Sequence, residues 1–128
     1  MAYEGAQIKV GQWTASADLS SKQFHFVKMS GNNTVDVTSA ITDKTIGVLQ
    51  NTPTSGQSAE VCVFGVTKVV ADGTLAAGNL IGSSADAQAD AIVAGTDTTV
   101  YVVGQALEAA AAGNTVTMFF NPSNARSA

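Results

Sequence analysis

Side chains that could act as acids, bases or nucleophiles are scarce in this chain of 128 residues. His25 is its only histidine and Cys62 its only cysteine. A catalytic triad would therefore depend on His25, and the chain cannot build a two-histidine metal site, a cysteine zinc cluster or an intramolecular disulfide. His25 lies between two phenylalanines and Cys62 between two valines, in stretches typical of strands. These surroundings favour a structural histidine and a small buried cysteine over reactive groups.

Carboxylates are more numerous, but their spacing fits no catalytic or metal-binding motif. Asp86, Asp90 and Asp97 fall in a stretch of small residues and could in principle gather around calcium. Their spacing lacks the alternating ligands and the essential glycine of the helix-loop-helix calcium site, which favours solvated loop carboxylates. Glu60 and Glu108 look like surface or edge charges, and the sequence contains neither a P-loop nor a GxGxxG motif. The sequence predicts a protein that is not an enzyme and has no cofactor.

Charged residues make up only 12% of the chain, about half the share that is usual in soluble domains. Either sister subunits or a larger assembly cover much of the surface, or the surface is rich in Ser, Thr, Asn and Gly. The net charge is −4 and the basic residues are spread along the chain, which argues against a nucleic-acid partner.

The opening MAYEGAQIKVGQ has neither the basic start nor the apolar run of a secretory signal. No segment approaches the roughly 18 apolar residues that a membrane-spanning helix needs. We therefore expect a protein that is made in the cytoplasm, stays soluble and has no membrane partner.

The longest stretch rich in β-branched and aromatic residues, AEVCVFGVTKVV at 59–70, is predicted to be the central strand of the fold. Both sets of alternating side chains are largely apolar. The strand should therefore be covered on both faces, inside a sandwich or barrel or beside a subunit interface. Gly65 in its middle predicts a bulge, a corner or a close approach of another backbone.

Shorter strands are predicted on both sides of this central strand, because turns rich in Gly, Asn and Pro recur along the chain. These strands cover residues 23–29, 34–38, 46–50, 79–82, 99–105 and 114–120. The turn SGNN predicts a hairpin between the first two, and TVTMFF in the last has a clear period of two. The sequence LEAAAA at 107–112 predicts one or two helical turns. The small residues of 83–97 predict an exposed loop that is mobile or varies in length.

Together these features predict an all-β protein with a compact body, either a small β-barrel, a β-tulip-like fold or a sandwich, and with short helical turns. Residues 1–17 have weak periodicity and are expected to form an extended N-terminal arm that orders against a partner. The β domain is expected over 18–121, followed by a C-terminal tail at 122–128. Trp13, the only tryptophan, either packs on the core of this domain or contacts another chain.

From Ala15 to Phe120 the sequence resembles the small capsid decoration, or cement, proteins of tailed bacteriophages, a family long catalogued in part as a domain of unknown function. The resemblance rests on the segments ADLSSKQFHFVKMSG, DKTIGVLQNTPTSGQSAEVCVFGVTKVVADGTLAAGNLIGSS and VGQALEAAAAGNTVTMFF. These are patterns of small residues, turns and strands without a catalytic signature.

The resemblance implies a structural virion protein on the outer capsid surface of an expanded head. There it would bind the major capsid protein as a homotrimer and stabilise the shell against internal DNA pressure. It also implies a mainly β body, in some members with an N-terminal arm against the shell. The expected capsid contacts are Ile8, Val10 and Trp13, and the expected core or trimer-interface residues are Cys62, Phe64 and Val66.

Two other classes of function stay open. A different virion β module, such as a head fibre or a tail-associated part, would be distinguished by its position on the particle. A small-ligand or carbohydrate-binding β-barrel would melt at a higher temperature in the presence of glycans or metal. Only Trp13, Tyr3 and Tyr101 could supply the aromatic platform of a sugar site.

Overall fold

Over its described residues, the chain folds into two six-stranded β-sheets. The computed structural model describes residues 2–9 and 11–122, and no helix forms among them, so the all-β prediction is confirmed. The strands are β1 (Gln7–Ile8), β2 (Trp13–Ala15), β3 (Phe26–Gly31), β4 (Thr34–Val37), β5 (Thr45–Leu49), β6 (Ser58–Ala59), β7 (Val61–Cys62), β8 (Phe64–Val70), β9 (Leu80–Ser83), β10 (Ala89–Ala91), β11 (Gly104–Ala106) and β12 (Thr115–Phe120).

The N-terminal sheet has the strand order β6-β2-β4-β3-β5-β7. β3 and β4 form the predicted antiparallel hairpin, and Asn33 in its turn adopts a φ of 55°, which Asn tolerates. β6 and β7 lie at opposite edges of the sheet, yet only Glu60 separates them in the chain. The two edges must therefore meet, and the sheet curls into a nearly closed barrel. Its interior is filled by Ala15, Leu19, Val27, Val35, Leu49, Ala59 and Val61.

The C-terminal sheet has the strand order β1-β8-β12-β11-β9-β10. β12 lies in its middle and pairs with β8 along its whole length, from Thr115 opposite Val70 to Phe120 opposite Gly65. Directly after β8, Ala71 forms a bridge with Ala89 of β10, so this sheet also curls toward closure. The barrel-like body expected from the sequence is therefore present.

Side chains of the N-terminal sheet complete the core of the C-terminal sheet. Phe26 and Val48 are fully buried and belong to the same cluster as Val116, Met118 and Phe120. The rings of Phe26 and Phe120 lie 6.3 Å apart between centroids, at an interplanar angle of 37°. The two sheets are thus joined through apolar packing.

The prediction of one continuous central strand over 59–70 is wrong. It consists of three pieces, of which β6 and β7 belong to the N-terminal sheet and β8 to the C-terminal sheet. The chain changes sheets near Val63, whose amide donates to the carbonyl of Ile8. The close backbone approach expected at Gly65 is confirmed, because a Cβ there would collide with the carbonyl oxygen of Ala6 and lie 2.8 Å from the Cα of Gln7.

The helical turns predicted over 107–112 do not form. Leu75 and Ala110 exchange two backbone hydrogen bonds, at 2.8 and 3.0 Å, and the amide of Leu107 donates to the carbonyl of Thr117. These long-range pairings take backbone groups that a helix would need and override the helix propensity of the alanines.

The mobile loop predicted over 83–97 is wrong for its first half. β10 pairs with β9, and Ser83, Ala87 and Ala89 are buried. The carbonyl of Ala87 accepts a 2.8 Å hydrogen bond from the amide of Phe26, which ties this hairpin to the N-terminal sheet. Only the stretch after β10 is largely exposed.

Residues of the expected N-terminal arm lie on both sheets of the body. β1 pairs with β8, and β2 lies inside the N-terminal sheet between β6 and β4. Ala15 at the end of β2 is fully buried. Of the expected C-terminal tail, all but residue 122 lie outside the described residues, and the domain boundaries stay predictions.

Candidate binding surface

The outer face of the C-terminal sheet carries a row of apolar side chains. Cross-strand register places Ile8 opposite Phe64, Val66 opposite Phe119, and both Phe119 and Leu80 opposite Gln105. Residues paired in this way project from the same face of a sheet. We call Ile8, Phe64, Val66, Phe119 and Leu80 the apolar row.

Three members of the apolar row are exposed to an unusual degree for large apolar residues. The exposed fractions are 51% for Ile8, 41% for Phe64 and 44% for Leu80. The inward alternate positions of β8, such as Val69, are fully buried, so the row is not a consequence of poor packing. Contiguous exposed apolar side chains on a sheet face are typical of an interaction surface.

The aromatic pair at the centre of the row has a defined geometry. The rings of Phe64 and Phe119 lie 5.3 Å apart between centroids at 81°, an edge-to-face arrangement. Beside Phe119, a shallow cleft of about 280 Å³ is lined by Leu80, Val102, Gly104, Gln105 and Asn121. The side-chain amide of Gln105 donates to the carbonyl of Gly78 at 2.9 Å, which fixes its position in this cleft. The surface thus combines two fixed rings with a small apolar depression.

Charged groups lie beside the row and not within it. Lys9 forms an exposed 2.9 Å ion pair with Glu60. Lys68, two residues beyond Val66, has its ammonium 5.7 Å from the centroid of the Phe24 ring. A partner of this face would therefore meet apolar groups at the centre and paired or ring-bound charges at the border.

The structure brings together three of the six residues singled out from the sequence. Ile8, Phe64 and Val66 belong to the apolar row, whereas Val10 lies outside the described residues. Trp13 is half-buried in β2 of the other sheet and packs against its core. Its indole Nε1 is buried without a hydrogen-bond partner among the described residues.

Cys62 and His25 lie in the interior and are poor candidates for chemistry. Cys62 is fully buried in β7, and burial raises the pKa of its thiol. His25 is 8% exposed, and burial lowers the pKa of its imidazole. Its Nδ1 lies 3.1 Å from the carbonyl oxygen of Gln23, and its Nε2 lies 3.4 Å from the side-chain nitrogen of Gln88. These contacts suit a neutral ring that donates from Nδ1.

The three loop aspartates do not form a metal site. Asp90 and Asp97 line a cleft of about 220 Å³, but each carboxylate accepts a hydrogen bond from a nearby backbone amide, that of Ala91 at 3.0 Å and that of Val93 at 2.6 Å. Within the described ranges no group of three or more His, Cys, Asp or Glu side chains is placed to hold a metal ion. Over the same ranges no helix is long and apolar enough to cross a membrane.

Sequence reasoning missed Phe119 and Leu80. Phe119 sits on the threonine face of the alternating strand TVTMFF, and a large aromatic ring on an otherwise polar face is a signal that could have identified it. Leu80 offered no such signal, because its place in the row follows from the pairing of β9 with β11.

These features define an all-β protein of two curled sheets with an apolar outer face. No known protein family matches the chain, and no curated protein matches it significantly. Among solved structures, the chain is similar to the one described as the crystal structure of head fiber gp8.5 N base in bacteriophage phi29. The TM-score is 0.64 at 17% sequence identity, over 93% of this chain and 99% of that chain. At this identity the similarity shows the fold alone.

Proposed function

We propose that this chain is a structural protein of a phage virion. In this proposal it binds the outer surface of an expanded head as a trimer, and it stabilises the capsid shell against internal DNA pressure. Its partners are the major capsid protein and two further copies of itself. The protein is made in the host cytoplasm, acts on the particle and catalyses no reaction.

The observation that carries this proposal is the similarity, over nearly the whole of both chains, to the base of a phage head fibre. The resemblance of the sequence to capsid decoration proteins points in the same direction independently. A low charge content and an exposed apolar row also suit a protein that works in contact with other subunits.

The apolar row gives this proposal a contact surface. Phe64, Val66, Phe119 and Leu80 would be buried between copies in the trimer, at about 25 cal/mol for each Å² of apolar surface removed from water. Ile8, at the end of the row nearest the N-terminus, would contact the shell. Val10 and Trp13 stay proposed shell contacts in the same segment.

Co-sedimentation with expanded heads that lack their decoration protein tests the proposal. The heads are those built from the major capsid protein encoded with this chain. We expect saturable binding near one copy per shell subunit and a higher melting temperature of the decorated heads. A folded protein that does not bind expanded heads would remove the proposal.

Surface variants connect that assay to the apolar row. Phe64→Ser and Leu80→Ser each remove one exposed apolar side chain and should weaken assembly by about tenfold or more, since anchors of this kind dominate interfaces. Val93→Ser is the matched control, because Val93 is 58% exposed but lies outside the row. Equal binding by all three variants would show that the row is not the contact surface.

A head-fibre base is a second candidate, and the description of the similar structure favours it. Electron microscopy of bound heads separates the two functions. A cement protein gives low knobs at the three-fold and quasi-three-fold points of the shell, whereas a fibre base gives projections.

A further inference from the structure

The N-terminal residues 2–9, called here the strap, lie along the free edge of β8. The amide of Gly5 donates to the carbonyl of Val66 at 3.0 Å, and the amide of Val66 donates to the carbonyl of Ala6 at 2.9 Å. Further along, the amide of Val63 donates to the carbonyl of Ile8 at 2.9 Å. The strap therefore occupies backbone groups that would otherwise form an open sheet edge.

The strap also reaches across the outer face of the sheet. The amide of Tyr3 donates to Oγ1 of Thr117 in β12 at 2.7 Å. Thr117 is fully buried although it projects from the same face as Phe119. The strap therefore spans two strands, from the edge of β8 to the middle strand of the sheet.

The strap crosses β8 at two glycines, one on β8 and one on the strap itself. We call this crossing the seat of the strap. Gly65 of β8 has a φ of 127°, and a Cβ on it would collide with the Ala6 carbonyl oxygen. On the strap, a Cβ on Gly5 would lie 3.0 Å from the Cβ of Val66. The seat thus accepts a segment with a small residue at this crossing and little else.

The strap contributes nothing to either core. None of its residues belongs to the two buried clusters, and all of them except Ala2 and Gln7 are exposed. It is held by hydrogen bonds to β8 and β12 and by the exposed ion pair between Lys9 and Glu60. Gly11, which follows closely, has a φ of 79° and can turn the chain in directions closed to other residues. Neither apolar core would therefore lose a side chain if the strap left its place on β8.

We propose that the strap exchanges between copies of this chain, so that residues 2–9 of one copy lie on β8 of another. The strap of a second copy fits the seat because it makes the same contacts as the resident strap. Exchange therefore replaces each contact by an identical one between copies. The fraction of exchanged straps then depends on the effective concentration of neighbouring copies. This inference does not depend on the proposed function, since it concerns association in solution.

A disulfide between two singly labelled chains tests the exchange. One chain carries Ile8→Cys and the other Phe64→Cys, both with Cys62→Ala, and one has a size tag. Ile8 and Phe64 are register partners, at a separation that a disulfide can bridge. The two full chains are mixed in urea, refolded together and oxidised. We expect a mixed dimer joined through positions 8 and 64 on non-reducing gels, verified by peptide mapping.

Collision between exposed thiols is measured with Val93→Cys in place of Ile8→Cys. We expect about tenfold more mixed dimer from the strap cysteine than from this control. Gly5→Val added to the strap chain should return the yield to the control level, because the new side chain would overlap Val66. A yield at the control level, or one that Gly5→Val leaves unchanged, would overturn the proposal. The gel comparison repeated with Cys62 retained covers the case in which Cys62→Ala prevents folding.

Discussion

Phe26 should contribute more to stability than any exposed aromatic residue, because it joins the two sheets. It belongs to β3 of the N-terminal sheet, is fully buried and packs beside Phe120 in the core of the C-terminal sheet. Full burial of a Phe side chain is worth about 1.5–3 kcal/mol, and the cavity left by Phe26→Ala raises the loss to about 3–5 kcal/mol. That is a large part of the roughly 5–15 kcal/mol that stabilises a typical domain.

Urea unfolding measures the free energy of unfolding that Phe26→Ala removes. Two signals monitor the transition, far-UV circular dichroism and the fluorescence of Trp13. Trp13 lies in the N-terminal sheet, so its signal follows that sheet while circular dichroism follows both. Phe64→Ala is the matched control, because the same atoms are removed from a ring that is 41% exposed and leaves no enclosed cavity. We expect the control to cost about 1 kcal/mol.

Two results would refute this reasoning. If Phe26→Ala lowered the free energy of unfolding no more than Phe64→Ala does, the two sheets would not depend on this contact. If the two signals gave separate transitions in the unmodified protein, the sheets would unfold independently, and one free energy could not describe the chain.

Three further predictions follow from the titratable groups. Burial lowers the pKa of His25, so protonation of this residue favours the unfolded chain. The free energy of unfolding should therefore fall as the pH drops below about 6.5. Urea titrations at several pH values should show that His25→Gln removes this decline. Partial burial of Asp43 opposes its ionisation, but backbone amide donors and the Lys28 ammonium at 2.9 Å outweigh this effect and lower the pKa of Asp43. Asp43→Asn should therefore lower the free energy of unfolding by about 1–2 kcal/mol at neutral pH. Urea titrations should show this difference shrink as the pH falls below 3.8. Burial raises the pKa of Cys62, so iodoacetamide should label it rapidly only in denaturant, as mass spectrometry would show; rapid labelling of the native protein would contradict its placement.

The sequence predicted the class of fold because period-two alternation and turn residues are local signals. β12 shows this best, since its period of two is present in the structure and one alternating set, Val116, Met118 and Phe120, lies in the core. The strand predicted over 23–29 begins only at Phe26, because Phe24 has a φ of 63°. Such a conformation is rare outside Gly, Asn and Asp, and residue type alone does not indicate it.

The errors arose where long-range pairing decides the structure. The apolar faces of 59–70 suggested one strand covered on both sides, whereas the chain passes from the two edge strands of the N-terminal sheet to β8 of the C-terminal sheet. The alanines of 107–112 favour a helix, but the long-range pairing of Leu75 with Ala110 prevents one. Small residues near Ala87 suggested a loop, although Ala87 and Ala89 are buried and the carbonyl of Ala87 accepts a hydrogen bond from the amide of Phe26.

The candidate surface was predictable to the same extent. Ile8, Phe64 and Val66 were singled out because each is apolar within its own segment. Their position beside Phe119 and Leu80 depends on the register between five strands. That register cannot be predicted from a single sequence.

The place of β12 in the middle of the C-terminal sheet determines the order in which the molecule can be assembled on the ribosome. All strands of the N-terminal sheet come from residues 13–62, so this half can pair as soon as that stretch has emerged. The other half is incomplete until residue 120 has emerged, and until then Phe26 and Val48 lack the packing of Val116, Met118 and Phe120. A chain that stalled after residue 62 and before residue 120 had emerged would be half folded. It would expose apolar surface that a chaperone or a protease would recognise.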